Sequence, residues 1–150
     1  MSDNRVEEAI SCLRDGMNCS QAIFSVYGHH LGVDRDRCLK IASVFGGGIN
    51  NTGNVCGAVT GAIMAIGLKH GDLKYGEVGI KDLTELPKSY GVASEFTKKF
   101  KERNVTIICR ELIDHDLLTA EDIEHAFKTG AFNNCPKFVK DAAEILEKML

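Results

Sequence analysis

The sequence has no apolar run long enough to cross a bilayer. Its longest, residues 62–68, includes Gly67 and falls far short of the roughly 20 residues a spanning helix needs. There is no stripe of Lys and Arg with aromatics between them, and the net charge is −3, so nucleic acid is not an expected partner. Residues 1–8 are polar and acidic, with no apolar core followed by a small-residue cleavage site. No secretory leader and no membrane insertion are therefore expected, and a cytoplasmic location is. Repeats, low-complexity tracts and strand-like alternation are also missing. What remains is a chain of 150 residues, 44% hydrophobic and 26% charged. A chain of that length can bury about two-thirds of its unfolded surface and does not need disulfides to fold. The expectation is an all-α, single-domain bundle of about seven or eight helices around a buried central helix.

Six cysteines stand out against that background. None is paired in a C-x-x-C, so neither a thioredoxin-like motif nor a zinc ribbon is written here. In a reducing compartment such cysteines are metal ligands, redox thiols or small apolar core residues.

Local signals place them on a helical map. Asp3 reads as the cap of a first helix running to about residue 14. Asn18 caps a second, residues 19–31, with Ile23, Val26 and Tyr27 inward. Asp34 caps a third, residues 35–45, carrying Leu39, Ile41, Ala42 and Phe45. The glycine-rich stretch 46–53 breaks the pattern. Asn54 then opens a fourth helix, 55–70, apolar on nearly every side and so expected at the centre. Gly57, Gly61 and Gly67 inside it imply close approach of a neighbouring backbone or a bound group. Residues 71–87 read as a mobile connector. A fifth helix follows over 88–103, with Tyr90, Ala93, Phe96 and Phe100 inward. Thr106 and Thr119 cap two shorter helices, the second with a weak capping box to Asp122. Cys135-Pro136 opens the last, because proline favours the first helical turn.

On this map Cys19, Cys56, Cys109 and Cys135 each fall at a helix start, whereas Cys12 and Cys38 fall mid-helix. A helix start presents unpaired N–H groups and the positive end of the macrodipole. Thiolate is stabilised there, and thiolate is both the nucleophile of disulfide exchange and a ligand for soft metals. Cys56, in the first turn of the central helix, is the expected leading nucleophile, with one of the other three resolving the mixed disulfide. Cys12 and Cys38 read as small core residues.

The segments Asn18-Cys19-Ser20-Gln21-Ala22, Phe45-Gly46-Gly47-Gly48, Cys56-Gly57-Ala58-Val59-Thr60-Gly61, Cys109-Arg110-Glu111-Leu112 and Cys135-Pro136 follow one another in that order. Together they resemble the C-GCAxxG-C-C family, whose members are held to be redox-active. Here the central motif reads CGAxxG, with Cys56 before Gly57. The likeness runs from about Met17 to the C-terminus and implies that Cys19, Cys56, Cys109 and Cys135 are the functional set. More loosely, the set is similar to the non-haem part of split-Soret cytochromes, whose comparable cysteines are taken to hold an iron–sulfur cluster. No C-x-x-C-H is present, so covalent haem is not expected.

Three readings follow. The four cysteines act as redox thiols; or they bind an iron–sulfur cluster or zinc; or the chain is a helical binding module in which they are incidental. Gly46, Gly47, Gly48 and Gly57 are the residues expected to stand against a bound group. The glycine loop lacks the Lys-Ser/Thr of a phosphate-binding loop, and a tight turn shielding a cysteine site is the preferred reading. His29 and His30 are expected at a helix end, and His70, His115 and His125 as isolated surface residues. The acids Glu111, Asp114, Asp116, Glu121, Asp122 and Glu124 read as a solvated face. A redox partner is expected without being identified, and a homo-oligomer is compatible with the sequence.

Overall fold

The computed structural model describes residues 2–74 and 86–150. Among the described residues eight helices follow in order: α1 Ser2–Arg14, α2 Cys19–His30, α3 Arg35–Ala42, α4 Gly57–His70, α5 Lys88–Asn104, α6 Cys109–Leu112, α7 Ala120–Thr129 and α8 Cys135–Met149. Among the described residues the only extended pairing is an isolated antiparallel bridge between Val55 and Ile108. The fold is all-α. Most of the expected connector, residues 75–85, lies outside the described residues.

The caps explain most of the boundaries. Asn18 Oδ1 accepts from the Gln21 N–H at 2.9 Å, while Gln21 Oε1 accepts from the Asn18 N–H at 3.1 Å. This reciprocal pair satisfies two of the helix's orphan donors. Asp34 accepts from the Arg37 N–H to start α3. Thr119 and Asp122 form a full capping box on α7, so the shorter aspartate reaches where a weak box was expected. Several positions differ from expectation: α6 starts at Cys109 with Ile108 as its N-cap in place of Thr106, and α4 starts at Gly57 in place of residue 55. Asp3 lies inside α1 rather than capping it. Helix α3 ends at Ala42, which leaves Phe45 outside and Ile41 53% exposed. Tyr90, expected inward, is exposed on α5, while Phe96 and Phe100 are fully buried.

Helix α2 carries the longest unbroken buried run, from Ala22 to Gly28, and packs against α1, α3, α4 and α8. Burial of Ile23, Phe24 and Val26 stabilises the fold by about 1.5–3 kcal/mol each. Tyr27 is buried with its hydroxyl 3.1 Å from the Ala143 carbonyl and 3.0 Å from Glu147 Oε1. Arg5 grips the same carboxylate through two bonds of 2.7 and 2.8 Å, tying α1, α2 and α8 together. Helix α4 is buried along the side facing α2, through Ala58, Val59, Ala62, Ala65 and Ile66, while Ile63 and Leu68 reach solvent.

The close approach implied by the glycines of α4 is real at two of the three. A Cβ on Gly57 would stand 2.8 Å from the Ser20 nitrogen and 3.0 Å from Cys19 Cβ. A Cβ on Gly61 would stand 2.9 Å from the Ser20 carbonyl oxygen. Gly67 has nothing within 4 Å. The first two therefore let the start of α4 touch the start of α2, and this contact sets up the site.

Candidate functional site

Each of the four cysteines is held at a helix start by local backbone chemistry. Cys19 is the first residue of α2, directly after its cap Asn18. Cys135 is the first residue of α8, followed by Pro136. Cys109 begins the single turn of α6; Thr106 Oγ1 accepts from the Ile108 N–H just before it. Cys56 is the N-cap of α4, not a residue of its first turn. The reason is backbone pairing that sequence periodicity does not register. The Cys56 N–H donates to the Ile107 carbonyl at 2.8 Å, and the Cys109 and Arg110 N–H groups donate to the carbonyls of Asn54 and Gly53 at 2.6 and 3.0 Å. These bonds and the Val55–Ile108 bridge hold the segment before α4 against the segment that leads into α6, which brings Cys56 and Cys109 to one place.

These four side chains line one cavity of about 20 Å³, walled further by Leu112, Ile113, Phe132 and Phe138. Gly47, Gly48 and Gly57 line it too. Gly48 has a left-handed φ of +76°, and a Cβ there would lie 2.6 Å from Cys109 Cβ, so only glycine passes that point. Cys19, Cys135, Gly46 and Gly47 also line a second, open pocket of about 490 Å³. The sulfurs thus divide into two pairs. Cys56 and Cys109 form an inner pair, 4% and 6% exposed. Cys19 and Cys135 form an outer pair, half-buried, between the inner cavity and the open pocket.

Electrostatics separates them further. The Cys19 thiol is hydrogen-bonded to Cys135; this bond, burial and the neighbouring cysteines push its pKa well above the ordinary thiol value. The same bond favours the Cys135 thiolate and lowers the Cys135 pKa despite burial. Burial pushes Cys56 up to about 11 against the opposing pull of the Ala58 and Val59 N–H groups. Burial, with the charges of Cys56 and Cys135 adding to it, pushes Cys109 up to about 12. The helix-start N–H groups thus act on Cys56 in the expected direction, and desolvation outweighs them. Of the four thiols, only that of Cys135 is shifted toward the thiolate.

The loop that lids both cavities is strained. Ile49, Asn50 and Asn51 all hold left-handed backbone, with φ of 67°, 53° and 53°, directly after Gly47 and Gly48 in the same region. The β-branched Ile49 costs roughly 1–2 kcal/mol in this region, which Asn adopts more readily. The loop is held by a chain of backbone bonds, including Asn50 to Val44 at 2.7 Å and Asn54 to Gly48 at 2.9 Å. Strain of this kind collects at functional sites.

The remaining sequence candidates lie elsewhere. Cys12 and Cys38 are buried in the hydrophobic core and line neither cavity. Cys12 contacts Ser25 Oγ at 3.8 Å and Arg35 Nη2 at 3.9 Å, whereas Cys38 packs against Gly28 of α2. His29 and His30 end α2. His115 and His125, expected apart, stack with ring centroids 5.0 Å apart. Glu111, Asp114, Asp116, Glu121 and Glu124 are exposed, and Asp122 is occupied in its capping box. Asn50, Asn51, Val44 and Phe127 of the open pocket carry no sequence signal of their own: the first three lie in the segment after α3, and Phe127 is a single exposed aromatic within α7.

Four thiolates are a donor set suited to zinc or an iron–sulfur cluster. The space they enclose is too small for a cluster of several atoms. A cavity of about 20 Å³ takes roughly one water-sized particle. Among the described residues no three potential ligands are gathered closely enough to hold an ion. An iron–sulfur cluster does not fit the four sulfurs as they stand.

No described helix is long and apolar enough to cross a membrane. No curated protein and no solved structure matches the chain. The family described as "Putative redox-active protein (C_GCAxxG_C_C)" matches residues 17–149, a span holding all four helix-start cysteines. The chain belongs to the C_GCAxxG_C_C family.

Proposed function

We propose that the chain is a dithiol–disulfide redox protein whose outer pair, Cys135 and Cys19, exchanges with substrate. The observation that carries this reading is geometric: all four cysteines line one small cavity, and only Cys19 and Cys135 also open to the large pocket. Cys135 is the nucleophile, since the Cys19 thiol donates to it and α8 begins at it. Its thiolate attacks one sulfur of a substrate disulfide; that S–S bond breaks, and the departing thiolate takes a proton. Cys19 then loses its proton and attacks the Cys135 sulfur of the mixed disulfide, releasing the second substrate thiol. The protein dithiol is oxidised to a disulfide, and the substrate disulfide is reduced by two electrons and two protons. The inner pair, Cys56 and Cys109, stays protonated near neutral pH because it is buried. It stands behind the outer pair as a second dithiol that can reduce the Cys19–Cys135 disulfide by the same exchange.

The test is quantitative thiol mapping on protein purified anaerobically, with metal analysis of the same sample. At neutral pH Cys135 should alkylate fastest, and mild oxidation should link Cys19 to Cys135. One equivalent of iron or zinc that survives a chelator and protects all four cysteines would sink the proposal. So would retention of disulfide exchange by Cys135→Ser.

A further inference from the structure

We infer that the open pocket beside Cys19 and Cys135 receives an uncharged, extended stretch of polypeptide that carries the cysteine or disulfide to be exchanged. This inference rests on the redox reading above and names its substrate class. The pocket encloses about 490 Å³, within the roughly 300–1,000 Å³ usual for ligand sites. None of its fourteen lining residues is charged, in a chain of which 26% is charged. The surface does not lack charge elsewhere: a second open hollow, on α5, is lined by Lys98, Lys101 and Glu102.

The lining matches the chemistry of a peptide. Met17, Val44, Phe127 and Phe132 give it apolar walls. Phe127 is 68% exposed and rests on Phe132 with ring centroids 4.9 Å apart, an aromatic pair at the mouth without a cover of its own. Asn50 and Asn51 also line it, and a side-chain amide both donates to and accepts from peptide groups. The left-handed backbone of these two residues aims them from the same loop that walls the inner cavity. A small thiol dense in carboxylates and ammonium would leave those charges unpaired in this pocket, and burying an unpaired charge is costly. A neutral polypeptide brings no charge to leave unpaired. Its sulfur reaches the outer pair at the pocket's inner wall, and the exchange there is the balanced dithiol–disulfide step already written.

The experiment compares matched peptide disulfides, all with capped termini, against the fully reduced protein. One peptide is neutral, one carries two Glu beside the cysteine and one carries two Lys. Glutathione disulfide is the fourth oxidant. Each rate is divided by that oxidant's rate with a free dithiol, to remove intrinsic sulfur reactivity. The neutral peptide should exceed the other three by about tenfold, the factor that a single misplaced interaction of about 1.4 kcal/mol produces. Phe127→Ala should weaken saturation by the neutral peptide by a similar factor, as loss of an exposed aromatic anchor does. Equal rates for neutral and charged oxidants, or a Phe127→Ala effect on the limiting rate alone, would overturn the peptide assignment while leaving the redox pair standing. Inertness of Cys135 to every disulfide would overturn the redox reading and the assignment with it.

Discussion

Gly57→Ala and Gly67→Ala make the same chemical change in the same helix and should move stability in opposite directions. A methyl at position 67 meets nothing within 4 Å. Only the backbone effect remains there, and replacing a helical glycine by alanine stabilises by about 0.5–1 kcal/mol. A methyl at position 57 would stand 2.8 Å from the Ser20 nitrogen and 3.0 Å from Cys19 Cβ. Neither is the tip of a flexible side chain, so α4 must move away from α2. Overpacking of this sort costs about 1–3 kcal/mol. Gly57 begins its helix, where propensity contributes little to offset that cost. In a chain of this size each kcal/mol shifts the midpoint by about 2–4 °C. Thermal unfolding should therefore rise by a few degrees for Gly67→Ala and fall by several for Gly57→Ala. The displacement at position 57 also separates Cys56 from Cys19, so exchange between inner and outer pairs should slow along with the loss of stability. A Gly57→Ala protein as stable as Gly67→Ala would refute the close α2–α4 contact, and with it the argument for why the four sulfurs share a cavity.

Other consequences follow from the same geometry. Because folding holds Cys56 and Cys109 protonated up to about 11 and about 12, the folded chain retains protons that the unfolded chain loses above about 8.5. The contribution of these two thiols should be level below that pH and fall from roughly pH 9 to 11; Cys56→Ala should flatten the fall, and an equal slope in urea titrations of both proteins would contradict it. Because the folded-state pKa of Cys135 is depressed, its alkylation rate should persist below the pH at which a free thiol stops reacting; Cys19→Ala, which removes the donor, should shift that profile upward. Cys12→Ser and Cys38→Ser should lower stability without slowing exchange, since neither residue lines either cavity. Tyr27→Phe should cost about 1–3 kcal/mol, read from chemical denaturation, because it removes the hydroxyl between the Ala143 carbonyl and the Arg5-bound Glu147.

The starts of α2, α3, α7 and α8 were legible in the sequence because caps are local, whereas Asp3, Asn54 and Thr106 do not cap the helices expected of them. Asn18, Asp34 and Thr119 each bond a backbone N–H three residues ahead, and Pro136 suits the first turn wherever the helix docks. That locality put Cys19 and Cys135 at the heads of their helices before any tertiary contact was known. The family motifs marked the same four cysteines. Where non-local pairing intervenes, local signals do not suffice: Val55 bridges Ile108 and the Cys56 N–H donates to the Ile107 carbonyl, so Cys56 is a cap instead of a first-turn residue.

Sequence by itself determined which cysteines stand at helix starts, and that the chain is all-helical. Only the tertiary structure decided that these four converge, since they lie 37, 53 and 26 positions apart and no local rule links them. It also decided the sign of their acidity. Helix-start N–H groups act within one turn, whereas desolvation depends on every wall of the cavity, and those walls come from distant parts of the chain. The division into a buried inner pair and an outer pair facing an uncharged pocket is a property of that assembly alone.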